Sequence, residues 1–237
     1  MASRLLPGLW PRLPAERFER PWKEFAFALL GAIGVLAMGQ LWSGGIRLPE
    51  RGALEPVLAA INQLLIFAPI LLVPVIRRQP STSAWLPRAR LGPRVLVGVL
   101  LSSVAVTAYS LLRDGADPPW ILLGRVWRYE NLDEMAQVFL EDVAIAILFV
   151  RLAAAIGSRW ATVVVACLFA AGHIPAMASQ GATWLELVGL VLDAGLGVAV
   201  ILVLQRSRDV VWFWCVHFCL DMTQFAAISG VQGGGNG

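Results

Sequence analysis

The chain has 237 residues, 58% of them hydrophobic and only 15% charged, with a mean hydropathy of +0.70. That excludes a soluble domain of this size, in which about 25% of residues are charged, and points to a multi-pass membrane protein. A formal charge of +3 does not signal nucleic acid, because the arginines are scattered between apolar runs and no basic block carries interleaved aromatics.

The apolar runs are 16 to 22 residues long, close to the roughly 20 residues a helix needs to cross a hydrocarbon core. They lack the alternation of a membrane β-barrel, so the expected fold is all-α, a transmembrane helical bundle of about seven spans. Residues 1–21 set Arg4, Arg12, Arg17 and Arg20 among leucines and Trp10, broken by Pro7, Pro11 and Pro14, and read as a basic interfacial leader. No signal-peptide core precedes Pro11, so the first span is expected to act as the targeting element.

The spans follow at Phe25–Leu41, Pro56–Ile76 and Val95–Leu112, with Trp22 and Trp42 bracketing the first and Arg77 and Arg78 closing the second. Residues 113–134 are too poor in apolar side chains to span and read as an interfacial helix or lid. Four more spans are expected at Met135–Val150, Ala161–Ala178, Leu185–Leu204 and Val210–Ile228, and the glycine-rich tail 229–237 is expected to be disordered. The chain thus divides into a three-span region, 22–134, and a four-span core, 135–228. With a cytoplasmic N-terminus, 14 of the 19 basic residues fall on the inner side, which places the C-terminus outside a bacterial inner membrane. Cys167, Cys215 and Cys219 lie within spans and act as small apolar residues.

A charge at mid-bilayer costs about 2.5 to 3.5 kcal/mol on insertion scales, so residues that carry one there have a partner or a task. Glu141, His173, His217 and Asp221 fall on three spans, and the proposed topology puts all four at one depth in the outer half of the bilayer. Glu141 and Asp142 are adjacent, about 100° apart on a helix, so only one of them faces any given point. His217 and Asp221, at i and i+4, share a face, where the carboxylate orients or charges the imidazole. A base, two imidazoles and an acid at a common depth are the parts that activate water and stabilise an oxyanion. The same donors suit zinc, but no His-Glu-x-x-His signature is present and neither a metal nor another cofactor is expected. Asp193, mid-span among Gly189, Gly195 and Gly197, is a supporting candidate. Gln63 and Gln137 read as interhelical hydrogen-bonding residues, and Ser102 and Ser103 have no base nearby.

The order Glu141-Asp142, then Phe169-x-x-x-His173, then His217-x-x-x-Asp221 resembles the CPBP family, the CAAX-processing and bacteriocin-processing group of glutamic-type intramembrane proteases, over about residues 135–228. The resemblance implies a metal-independent hydrolase acting on a membrane-anchored protein or peptide. Glu141 would be the general base, His173 would position and polarise the water, and His217 with residue 221 would stabilise the oxyanion. The family's second glutamate is Asp142 here, and Ala146 stands where the family carries an arginine. A non-catalytic peptide-binding protein of the same fold, such as an immunity or scaffold protein, is the alternative. A small transporter or proton relay is a further one, against which the lack of paired, broken spans counts.

Overall fold

A computed structural model describes residues 16–43, 48, 54–112, 117–179, 181 and 183–233. Most of the leader and the last four residues of the tail lie outside that set, as does the side chain of Asp193. The described residues are mostly helical and contain no strand: α1 (Pro21–Ser43), α2 (Glu55–Ile76), α3 (Leu91–Leu112), α4 (Pro119–Val126), α5 (Leu132–Ile156), α6 (Ser158–Gly172), α7 (Ile174–Ser179), α8 (Trp184–Ser207) and α9 (Val210–Gly233). Four of them, α1, α2, α3 and α8, are long and apolar enough to cross a membrane. Twenty-two residues of helix make about 33 Å. These helices leave Leu30, Leu64, Leu96 and Leu192 exposed, a surface that lipid accepts and water penalises. α6 and the first part of α9 are apolar but shorter, and α5 carries five charged residues, Asp133, Glu134, Glu141, Asp142 and Arg151.

The helix ends follow local chemistry. Pro118 and Pro119 start α4, where a missing N–H costs nothing. Gly157, at φ +82° and ψ 155°, takes a backbone conformation that only glycine adopts readily and separates α5 from α6. The single segment expected at Ala161–Ala178 is two helices that meet in a turn at His173. The physical cause is Pro175, in the first turn of α7, which has no N–H for the Ala171 carbonyl and so ends the hydrogen-bond ladder of α6.

The chain forms two compact units. The first comprises Met1–Gly45, Ile66–Leu86 and Val143–Asp209. In it Gly31 lets α1 approach α2 so closely that a Cβ there would lie 2.8 Å from the Ile70 Cα, and α8 lies along α6 with Gly197 against Ala166. A polar chain closes the end where α1 begins and α2 finishes. The buried Glu24 carboxylate receives Arg77 Nη2 at 2.5 Å and Gln79 Nε2 at 2.7 Å. The hydrogen bond to Glu24, with the charge of that carboxylate, holds the Arg77 guanidinium above its ordinary pKa range. The Gln79 side-chain oxygen in turn accepts from Arg151, which is fully buried, donates to the Ile147 carbonyl at 2.7 Å and the Ser83 carbonyl at 3.2 Å, and lies 5.7 Å from the Phe18 ring.

The second unit comprises Ile46–Leu65, Pro87–Asp142 and Val210–Gly237. Its core joins Val106 of α3, Leu122 and Val126 of α4, Val138 of α5, and Phe218 and Cys219 of α9. α3 and α9 run in the same direction, with Gly98 against Trp212 and Cys215 and Ser102 beside Cys219. A Cβ on Gly98 would sit 2.7 Å from the Trp212 carbonyl oxygen, which is backbone and cannot swing aside. Gly98→Ala is therefore expected to destabilise the protein by about 1 to 3 kcal/mol through overpacking. Gly92→Ala, at a position with nothing within 4 Å, leaves the unfolding midpoint in detergent within about a degree of the parent or raises it. Equal midpoints for the two variants would refute the close α3–α9 contact.

Candidate functional site

Three of the sequence-predicted residues come together in the second unit. His217 projects from α9 so that Nδ1 lies 3.0 Å from Oδ1 of Asp142 on α5, and Nε2 lies 3.5 Å from Oδ2 of Asp221, one turn further along α9. Exposure grades along this row: the Asp142 side chain is 0% exposed, His217 18% and Asp221 34%. An imidazole is thus bracketed by two carboxylates, one dry and one within reach of the surroundings. A neutral ring donates through one nitrogen only, so donation to both carboxylates requires the imidazolium. The second oxygen of Asp142, Oδ2, is buried without a hydrogen-bond partner among the described residues, so His217 is what compensates this carboxylate.

The surrounding packing fixes the imidazole. Phe213, one turn before it, lies 5.6 Å from the His217 ring, tilted by 44°. Trp214 donates from Nε1 to the Met135 carbonyl at 2.8 Å and stands edge-on to Phe139 and Trp127. Trp127 in turn packs edge-on against Phe218 at 5.4 Å. The register of α9 on α5 is therefore set by an indole hydrogen bond as well as by the Asp142–His217 contact.

Glu141 follows a different path. It accepts from Gln137 Nε2 at 3.0 Å, one turn earlier on α5, and the Gln137 side-chain oxygen accepts from Gln63 Nε2 of α2 at 3.3 Å. Gln63 and Gln137 are thus interhelical partners as expected, and they line up behind Glu141. The adjacent carboxylates diverge as a 100° step requires: Asp142 turns to His217 and Glu141, half-buried, turns to the amide pair. It is Asp142, a supporting residue in the sequence, that touches the imidazole. Nothing in the sequence distinguishes which of two neighbouring acids a distant histidine selects.

His173 lies in the first unit, exposed, at the turn between α6 and α7. Its Nδ1 is 3.0 Å from the Phe169 carbonyl oxygen, and the Phe169 ring stands edge-on to it at 4.9 Å. A carbonyl only accepts, so Nδ1 carries the hydrogen, and in the neutral ring Nε2 presents the lone pair. The two members of the Phe-x-x-x-His motif are therefore in direct contact, and the phenylalanine turn selects the tautomer. Ala146 is fully buried on α5. Ser102 and Ser103 both donate to the Val99 carbonyl, an arrangement that offers no activated nucleophile. Among the described residues no group of three His, Cys, Asp or Glu side chains is placed to hold a metal ion.

No protein-family model, curated protein or solved structure matches the chain.

Removing one partner of a buried ion pair strands the other. His217→Ala is expected to destabilise the protein by about 3 kcal/mol or more, because the Asp142 carboxylate loses its partner. Asp221→Ala, at a third-exposed position, costs less than about 1 kcal/mol. Reversible unfolding in mixed micelles measures both, and equal losses would show that Asp142 does not depend on His217.

Proposed function

We propose that the chain is an intramembrane endopeptidase of the glutamic type, resembling the CPBP group, that hydrolyses a peptide bond in a membrane-anchored protein or peptide. The observation that carries this reading is the Asp142–His217–Asp221 row with Glu141 beside it, a set of polar groups kept in apolar helices where each is costly. In this reaction Glu141 takes a proton from water as the oxygen bonds to the scissile carbonyl carbon. The resemblance assigns the orientation of that water to His173, whose Nε2 lone pair suits an incoming O–H. His217, charged by its two carboxylates, stabilises the negative oxygen of the tetrahedral intermediate. Asp142 is a positioning residue that holds the imidazole. The proton on Glu141 then passes to the amide nitrogen as the carbon–nitrogen bond breaks, which regenerates the carboxylate and releases an amine and an acid.

The bundle that houses the reaction is proposed to have seven spans, with α5, the α6–α7 pair and α9 joining the four long apolar helices. The shared direction of α3 and α9 supports it, since the third and seventh spans of a serial bundle both run outward. The N-terminus is then cytoplasmic and the reaction lies toward the outer face of a bacterial inner membrane. Substrates carrying an extracytoplasmic sorting or anchor segment fit that geometry.

One observation favours a second reading. Both nitrogens of His217 already face carboxylates, and the residue at 146 is a buried alanine, so a non-catalytic protein that binds a peptide without cutting it is the alternative.

With membrane-anchored reporter peptides, Glu141→Gln and His173→Ala are each expected to lower cleavage by at least about 100-fold, the scale of a lost general base or water-positioning group. Both variants remain inserted and extractable. Parent-like cleavage by Glu141→Gln removes the mechanism, and peptide binding without cleavage by the parent selects the non-catalytic reading. In a background with Cys167, Cys215 and Cys219 replaced, a single cysteine at Gly235 is expected to react with an impermeant thiol reagent added outside intact cells. Labelling only after permeabilisation would reverse the topology.

A further inference from the structure

The first unit holds a cavity of about 340 Å³ that the hydrolase reading leaves unused. It lies at the end where α1 and α6 begin and α2, α5 and α8 finish, and its wall includes Glu16, Thr82, Trp85, Phe149, Ser158 and Arg208. Charges of both signs share one space with an aromatic wall. Glu16 accepts from the Thr82 hydroxyl at 2.7 Å, which fixes its carboxylate. Trp85 and Phe149 stand 5.1 Å apart and close one side, while Ala153 and Ala154 of α5 give the cavity an apolar flank.

Two of the wall residues adopt a backbone conformation that favours glycine. Arg208 has φ +50° and Trp85 φ +52°. Arg208 ends α8 with its N–H on the Leu204 carbonyl at 2.7 Å, the position at which helices usually place glycine. Left-handed backbone costs a residue with a Cβ about 1 kcal/mol or more, so these positions keep guanidinium and indole against the local preference. Arg78 and Arg90 share that conformation outside the cavity wall, so what singles out Arg208 and Trp85 is their place in it.

We propose that this cavity binds the headgroup of a phospholipid carrying a primary ammonium, of the phosphoethanolamine type. Arg208, with the Ser158 hydroxyl and the first-turn amides of α6, meets the phosphate. Glu16 takes the ammonium, which also faces the Trp85 and Phe149 rings. The alanine flank of α5 accommodates the start of the acyl chains. Helix ends lie at the level of headgroups in a bilayer, which is why a lipid rather than a soluble phosphate is the source. The inference needs the helices to be membrane-embedded and is independent of whether the protein cleaves peptides.

Native mass spectrometry of the full-length protein in detergent, titrated with short-chain phosphatidylethanolamine, phosphatidylcholine and phosphatidylglycerol, tests the assignment. The parent is expected to prefer the ethanolamine lipid over the choline lipid by roughly tenfold, because a trimethylated nitrogen has no N–H for Glu16. Glu16→Gln reduces that preference to about twofold or less. Arg208→Gly relieves the left-handed backbone, so it folds at least as well as the parent by thermal unfolding, yet binds the ethanolamine lipid roughly tenfold more weakly. Equal binding of ethanolamine and choline lipids by the parent, or undiminished binding by Arg208→Gly, overturns the proposal. Free phosphoethanolamine competing as strongly as the lipid would overturn the assignment to a membrane source.

Discussion

The second unit depends on one hydrogen bond, from His217 on α9 to the fully buried carboxylate of Asp142 on α5. A carboxylate without solvent is tolerable only when something cationic or hydrogen-bonding meets it, and here one imidazole does so. The rotation of α9 about its axis is therefore constrained: His217 must face α5, which turns Phe213 over the ring and sends Trp214 to the Met135 carbonyl. Close packing of α3 follows from the same rotation, because it presents the Trp212 carbonyl and Cys215 to Gly98, where any side chain would collide. A polar contact, an indole hydrogen bond and a missing Cβ thus specify a single arrangement of three helices.

The first unit solves the same problem with a chain rather than a pair. Among the described residues no carboxylate touches Arg151 directly; two backbone carbonyls, the Ser83 hydroxyl and the Gln79 amide oxygen meet its guanidinium instead. Gln79 makes the arrangement work, since its amide donates to Glu24 on one side and its oxygen accepts from Arg151 on the other. The charge of Glu24 is shared between Arg77, in direct contact, and Arg151, one amide away. A glutamine is the side chain of suitable length for this relay because it carries a donor and an acceptor at one terminus.

Much of the fold was legible because hydropathy is a local property. The four long apolar helices lie where the runs predict them, with ends moved by a few residues. The break at His173 was hidden by the same signal, since the apolar run continues through Pro175 although the hydrogen-bond ladder of α6 does not. Of the candidate site, the His217–Asp221 relation was legible because both lie on one helix at i and i+4. The Asp142–His217 contact was not, as its partners are 75 residues apart and a neighbouring acid offered an equal alternative. The Glu24–Gln79–Arg151 chain escaped for a further reason. Charges at the ends of apolar runs read as topology signals, and nothing local separates an arginine that faces water from one that is buried.

The divergence of Glu141 and Asp142 also divides their labour under the proposed chemistry. A general base must meet water and then give the proton to a departing amine, which a carboxylate sealed inside the protein cannot do without opening the structure. Asp142 is sealed and already committed to an imidazole, so its contribution lies in holding His217 in place. Glu141 is half-buried, supported from behind by Gln137 and Gln63, and directed by the helix to another azimuth. The shorter aspartate at 142 suits this division. Its single methylene keeps the carboxylate close to the α5 backbone, so the distance to α9 is spanned by the rigid, planar imidazole instead of a flexible chain. An imidazole positioned that way has little freedom left to lose, and it is preorganised for whatever negative charge forms beside it.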